Sequence, residues 1–299
     1  MTTTVAGLSV ENKIDQLIGN IRNLPTPPIV FEQIQKVIQN PSTSVAHIAA
    51  IISEDPAMSV KVLKLTNSAF YGLSREVESI KHAIMIIGME AVKNLVLSAS
   101  VLNMFKADNS NKEFHEDFWR HSLAAAFASR LLAQKHQNGK IFNPDPAFTG
   151  GLIHDLGKMI ICCFMPKEHQ QIVRLLAETP GMLVVDAEEQ VLGFDHAQLG
   201  RQLAKQWRLP TRTADSIGFH HRPGLENASD NYAYLIALSD HIAQLCFPSQ
   251  DIDESHHKLA DGVLDYFDIN ASKLEEFKVD LFEEYMKAQT FMQIAGTEQ

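Results

Sequence analysis

Helical periodicity runs through almost the whole chain, and that feature removes most folds from consideration. Apolar residues recur at spacings of three and four, and no segment shows the strict alternation of a half-buried strand. Leu17, Ile18 and Ile21 close a first amphipathic segment, which Pro25, Pro27 and Pro28 end. Val30, Ile34, Val37 and Ile38 form the stripe of the next, over residues 29–39. Ser42 to Ser44 offers caps for a helix bearing Val45, Ile48, Ile51 and Ile52. Asp55 followed by Pro56 is a cap and then a proline at the first helical position. Ser79 opens another helix, Gly88 breaks it, and Val92, Leu95, Val96, Ala99 and Leu102 face inward from the one after. The polar stretch "KADNSNKE", residues 106–113, marks a boundary. Beyond it, helices are predicted over 114–136, 146–163, 166–178, 183–192, 195–207, 210–221 and 232–247. Leu274, Phe277, Leu281 and Tyr285 give a last amphipathic helix. The expectation is an all-α protein of two lobes, 1–106 and 107–299, whose apolar faces press the lobes together.

Composition narrows the class. With 45% apolar and 21% charged residues over 299 positions, the chain can bury a sizeable core. No run approaches about 18 apolar residues, and "MTTTVAGLSVENK" lacks the order of a signal peptide. A cytoplasmic protein with no membrane partner is expected. Cys162, Cys163 and Cys246 show no CxxC spacing and read as reduced, buried, small hydrophobes. A net charge of −10 argues against nucleic acid as a partner, because phosphate neutralisation needs a basic face. One local exception is the group Arg201, Lys205, Arg208, Arg212 and Arg222, opposed by Asp215. It reads either as a solvated stripe opposite Leu199, Leu203 and Trp207, or as an anion-receiving rim for a small phosphorylated ligand.

The chain's 13 histidines matter by placement. His121 shares a helix face with Phe118, Ala125, Ala128 and Leu132, and His196 shares one with Leu199, Leu203 and Trp207. His154 and Asp155 follow Gly150 and Gly151, whose missing side chains let another backbone approach. His220 and His221 end a helix, where imidazole also suits the negative helix end. Asp240 lies in the apolar run "YLIALSDHIAQL", where an unpaired carboxylate is costly. Singly, each has a bland reading as a satisfied core or cap residue. Jointly, inward imidazoles and carboxylates on several helices suit a first-row divalent metal. Asp117, one turn before His121, reads either as an extra ligand or, more simply, as a surface carboxylate, and His115, His136, His169, His256 and His257 read as solvated.

The order His121, His154-Asp155, His196, His220-His221, Asp240, with "HDLGK", resembles the HD-domain superfamily of metal-dependent phosphohydrolases. The upstream "LPTPPIVFEQIQKVIQNPSTSVAHIAAIISEDPAMSVKVLKLTNSAFYG" and the later "LGFDHAQLGRQLAKQWRLPTRTADSIGFHHRP" resemble its bacterial HDOD branch, over roughly residues 20–247. The resemblance implies an HD-like helical bundle in the second lobe and a role as an output or adaptor module in signalling, with protein partners. It also implies a metal site: His121, His154, Asp155 and Asp240 around one ion, with Asp155 bridging to a second at His196, His220 and His221. Fe, Mn, Ni, Zn and Mg are not distinguished. Were the chain an enzyme, it would be a metal-dependent phosphohydrolase with Asp155 and Lys158 as catalytic residues. After the double histidine the chain reads "HHRPGLENASDNYAY" and lacks the Gly-Tyr-Pro of the related HD-GYP phosphodiesterases, so cyclic-di-GMP is not the expected substrate. The "TNSAFYG" loop is expected to present Phe70 and Tyr71 to partners.

Overall fold

The computed structural model describes residues 9–21, 24, 29–38, 40–105, 112–135, 142–225, 231–248 and 256–295, and among these there is no strand. The first part of the chain carries α1 (Val10–Asn20), α2 (Ile29–Ile38), α3 (Val45–Ser53), α4 (Pro56–Thr66), α5 (Ile80–Ile87) and α6 (Met89–Met104). The second carries α7 (Lys112–Lys135), α8 (Pro144–Ile153), α9 (Leu156–Phe164), α10 (Pro166–Glu178), α11 (Val184–Leu192) and α12 (His196–Gln206). It continues through α13 (Thr211–Phe219), α14 (Tyr232–Cys246), α15 (Val263–Phe267), α16 (Ala271–Tyr285) and α17 (Gln289–Ala295).

Helix starts follow the local chemistry. Asp55 accepts from the Met58 amide at 2.9 Å with Pro56 at the first helical position, and Ser44 and Ser79 cap α3 and α5 in the same way. Asp195 and Gln198 form a reciprocal capping box that fixes the start of α12, and with it His196.

Helix α7 is the hub, packed by α8, α14 and α16, while α12 lies against α9 and α13. Three consecutive buried alanines, Ala124, Ala125 and Ala126, thin its surface so that neighbours come close. Gly151 of α8 completes this contact: a Cβ there would stand 2.6 Å from Ser129 Oγ and 2.7 Å from the Ala125 carbonyl. The close backbone approach expected of the glycine pair holds at Gly151, whereas Gly150 faces the side chains of Ile236 and Ser216.

Helices α2 to α6 pack on one another and, through α6, against α8. The chain ends cross over: α1 docks on α12, and α17 docks on α4 and α6. One continuous apolar core runs from Ile14 and Phe31 through Trp119 and Phe127 to Phe291. The boundary expected at 106–113 falls mostly outside the described residues; Lys112 and Glu113 already belong to α7.

Three expectations need correction. The helix expected over 146–163 is broken at His154 and Asp155 into α8 and α9. The stretch Pro144–Phe164 has the length and hydropathy of a membrane-crossing helix, but 78% of its most apolar 18-residue window is buried inside the fold. Phe70 is core and not a partner-facing ring. It is 5% exposed, ringed edge-on by Tyr71, Phe127, Phe148 and Phe291, with the Arg130 guanidinium 3.9 Å from its centroid. Phe127, Phe148 and Phe291 come from distant parts of the sequence, so local polarity around "TNSAFYG" misleads. Lastly, the three cysteines are free as expected, but half-buried.

Candidate metal centre

The break between α8 and α9 turns two adjacent side chains into one buried cluster. His154 caps the end of α8, Asp155 precedes α9, and both are almost fully buried. Four further helices converge on them. Helix α7 brings His121, α12 brings His196 at its first position, the end of α13 brings His220 and His221, and α14 brings Asp240. Gly157 allows α12 to close on α9, because a Cβ there would collide with the His196 carbonyl.

The two oxygens of Asp155 face different partners. Oδ2 lies 3.7 Å from His121 Nε2, 3.4 Å from His154 Nε2 and 2.6 Å from Lys158 Nζ. Oδ1 lies 3.0 Å from His196 Nε2 and 3.7 Å from His220 Nε2. Asp240 Oδ1 closes the first group at 3.0 Å from His121 and 3.6 Å from His154. His221 closes the second, its Nε2 3.0 Å from that of His196. In each group of four, one ligand atom per residue lies within 4.8 Å of all the others. The structure thus brings all seven residues together in two sets that share Asp155.

The ring orientations show what the sets are built for. His154 Nδ1 donates to the Gly151 carbonyl at 2.7 Å, and His220 Nδ1 donates to that of Ile217 at 2.6 Å. A carbonyl can only accept, so these bonds put the proton on Nδ1 and aim Nε2 inward. His196 Nδ1 is held by Glu188 Oε2 at 2.6 Å, and the same oxygen accepts the His196 amide at 2.8 Å. Inside, Nε2 of His121, His154 and His220 and Oδ1 of Asp155 are sealed from solvent without a hydrogen-bond partner. His121 Nε2 stands near Asp240 but out of hydrogen-bond alignment. Unmade bonds of this kind in a buried site are costly. Two nitrogens bound to one ion at ~2.1 Å stand roughly 3.0–3.4 Å apart, and His196 Nε2 and His221 Nε2 already stand 3.0 Å apart. The donor set fits a divalent metal.

Charge in the cavity is arranged to match. Burial pushes the Asp155 carboxyl up, but His154, Lys158 and His196 outweigh it and hold it well below the usual range. Asp240 is likewise held low, burial being outweighed by His121 and His154. Burial disfavours the charged His154 ring, yet Asp155 and Asp240 lift its pKa to about 10. For His196, Glu188 and Asp155 overcome burial and Lys158, giving about 9. His220 and His221 are instead pushed down by burial, helped for His221 by its imidazole neighbours. Burial depresses Lys158, and Asp155 and Asp240 more than restore it. Cationic imidazoles and Lys158 therefore offset the two carboxylates, and an ion entering here displaces protons.

Other residues fall differently from expectation. Asp117 joins neither set; it is half-buried and paired with Arg120. His115 is buried, its Nε2 2.7 Å from the Phe105 carbonyl, and His256 is buried with Nδ1 donating to Met182 at 2.7 Å. His169 is half-buried against Phe114, and His136 lies outside the described residues. His257 also is no surface residue. Its Nε2 is sealed without a partner, and burial, with a push from Lys158, lowers its pKa to about 4. With His221, Arg222 and Lys258 it lines a cleft of about 110 Å³. Arg201 is held by Asp215 and Glu11, Lys205 by Glu11, and Arg212 lies over the Tyr232 ring. Arg208 stands exposed at positive φ. Of the five basic residues considered for an anion rim, Arg222 borders this cleft, paired with Glu189. Glu188 was not expected, although Val184 and Val185 precede it by four and three and place it on the buried stripe of α11.

Comparison with known proteins gives the family and the fold. The model of the HDOD domain matches residues 24–223. The chain belongs to the HDOD family. An uncharacterized protein of Treponema pallidum is 26% identical over 278 residues, which are 93% of this chain and 49% of that protein. This HDOD chain thus spans about half the length of that relative. Among solved structures, a Shewanella amazonensis protein provisionally called a phosphohydrolase superposes with a TM-score of 0.71 at 24% identity, covering 95% of this chain and 97% of that one. A Marinobacter aquaeolei protein provisionally assigned to signal transduction gives 0.73 at 19% identity, covering 96% and 65%. These likenesses establish a shared fold.

Proposed function

We propose that this HDOD protein is a signalling module that acts by binding, built around a retained pair of divalent-metal sites. The observation that carries the reading is Asp155, whose two oxygens each complete a separate set of imidazoles. His121, His154, Asp155 and Asp240 would hold one ion, and Asp155, His196, His220 and His221 the other. A metal bound there would supply Lewis-acid polarisation of a phosphoryl oxygen. The chain's own groups do the rest: Glu188 and two backbone carbonyls orient the rings, and Lys158 neutralises charge beside Asp155. The match to HDOD, and the fold shared with a protein assigned to signal transduction, support a regulatory role; protein partners are part of the proposal. The partition into lobes 1–106 and 107–299 belongs to the same proposal, with α1 and α17 docked across it.

A second reading, a metal-dependent phosphohydrolase, is favoured by the cleft beside His221, where Arg222 and Lys258 meet the second set of ligands. One experiment separates the two. The metal-loaded protein is offered a panel of phosphodiesters and phosphomonoesters alongside Asp155→Ala. The binding reading expects no release of product above the variant's background. Turnover that Asp155→Ala abolishes would establish the hydrolase instead.

A further inference from the structure

Ten large apolar side chains stand exposed among the described residues, and three of them follow one face of α16 and the turn after it. Val279, Phe282 and Met286 are 60%, 48% and 80% exposed. Their spacing of three and then four is that of the a and d positions of a coiled coil. We propose that this seam is a docking site for an amphipathic helix of a partner protein, one whose apolar stripe is flanked by Lys or Arg. The proposal rests on the signalling reading above and names the chemistry of the partner. It holds whether or not the metal sites are filled.

Helix α16 carries apolar residues on two sides, and the fold uses one of them. Phe277 and Leu281 are buried, where the helix packs on α7 and α14. Val279, Phe282 and Met286 turn to solvent instead. Single exposed apolar residues are ordinary, whereas a contiguous stripe marks a surface that something covers. Phe282 is also held in place. Its ring centroid lies 5.1 Å from that of Phe247, which lies 4.3 Å from that of Tyr285. A partner therefore meets a fixed aromatic anchor. The period of the stripe selects a helix as the occupant, since the side chains of a strand repeat every two residues.

Charge selects among helices. Lys273, Lys278 and Lys287 are each paired with a nearby acid, Asp268, Glu275 and Glu284. Glu276 and Glu283 flank the seam at successive e positions, stand exposed, and have no ion-pair partner among the described residues. The uncompensated charge along the edge is negative, so the complementary flank is basic. Two copies of this chain pressed together antiparallel would set Glu against Glu, and each carries a net charge of −10. The same acids are repelled by the anionic surface of a membrane.

Fluorescence anisotropy of a labelled peptide titrated with the full chain tests the seam. The peptide spans roughly three heptads, with Leu at a and d, Ala at b, c and f, and Lys at e and g. A second peptide carries Glu in place of Lys. Saturable binding of the Lys peptide is expected, about tenfold or more tighter than that of the Glu peptide. Phe282→Gln with Met286→Gln should weaken it about tenfold or more, and Glu276→Lys with Glu283→Lys should move the preference to the Glu peptide. Met85→Gln with Ile86→Gln, at exposed apolar residues of α5, should bind as the wild type does. All three variants should melt close to the wild type, because the changed side chains are exposed. No binding of the Lys peptide, equal binding of the two peptides, or binding unmoved by the α16 variants would overturn the proposal. So would a dimer in sedimentation, or pelleting with phosphatidylcholine vesicles, that Phe282→Gln with Met286→Gln abolishes. Phosphoester turnover, which decides the wider reading, enters none of these readouts, so the two fail separately.

Discussion

Replacing Glu188 by Gln would remove the charge behind His196 while keeping the shape of its support. Glu188 is 3% exposed, and one of its oxygens accepts both the Nδ1 and the backbone N–H of His196. Gln can present a single oxygen at the same place, so both bonds survive and stability should stay within about 1 kcal/mol. What changes is the basicity of the His196 ring, and loss of such outer support costs metal affinity about 10–100-fold. The loss should fall on the ion held by His196, His220 and His221. The ion at His121, His154 and Asp240 has no contact with Glu188 and should be little affected. Glu188→Ala is harsher: it strands two buried donors at about 1–3 kcal/mol each, about 2–6 kcal/mol in total. At about 2 °C per kcal/mol for a chain of this size, the melt should fall by roughly 4–12 °C. Calorimetric metal titration and thermal denaturation of both variants give the assay. A Glu188→Gln protein with two unchanged metal affinities, together with a Glu188→Ala melt at the wild-type temperature, would refute the assigned role.

Two further outcomes follow from the same structure. Phe70→Ala should destabilise the protein by about 3–5 kcal/mol in urea denaturation, because four aromatic rings and Arg130 close around it; a loss below about 1 kcal/mol would return Phe70 to the surface. Metal binding should release protons, because His154 and His196, at about 10 and about 9 without metal, are protonated at neutral pH and must be neutral to ligate. Affinity should therefore rise with pH toward those values, read by calorimetry in buffers of different ionisation enthalpy; an affinity flat across that interval would contradict the charge arrangement.

Much of this was legible in the sequence because it is written locally. Asp55-Pro56, Ser79 and Asp195 announce helix starts within four residues, and among the seven candidate ligands His121, His196 and Asp240 stand out as polar groups on apolar stripes. What escaped depends on contacts far apart in the chain. Glu188 lies among Asp186 and Glu189 and reads as one more solvated acid until α12 is packed over it. Arg201 and Lys205 look like a free basic stripe, yet their partner Glu11 is 190 or more positions away. His257, some 17 positions beyond Asp240, feels the charges of Lys158, Asp240, His121 and Asp155, and nothing in its local sequence shows that. The break at His154 leaves no mark in the apolar pattern either. Only the glycines around it, Gly151 and Gly157, hint that two neighbouring helices come unusually near.

The central claim is that Asp155 joins two metal sites through its two oxygens. Native mass spectrometry of protein loaded with a divalent metal and then desalted counts the ions on each chain. The account predicts two on the wild type, one on His221→Ala, and none retained on Asp155→Ala. A wild type that keeps no ion, or an Asp155→Ala protein that still carries two, would contradict it.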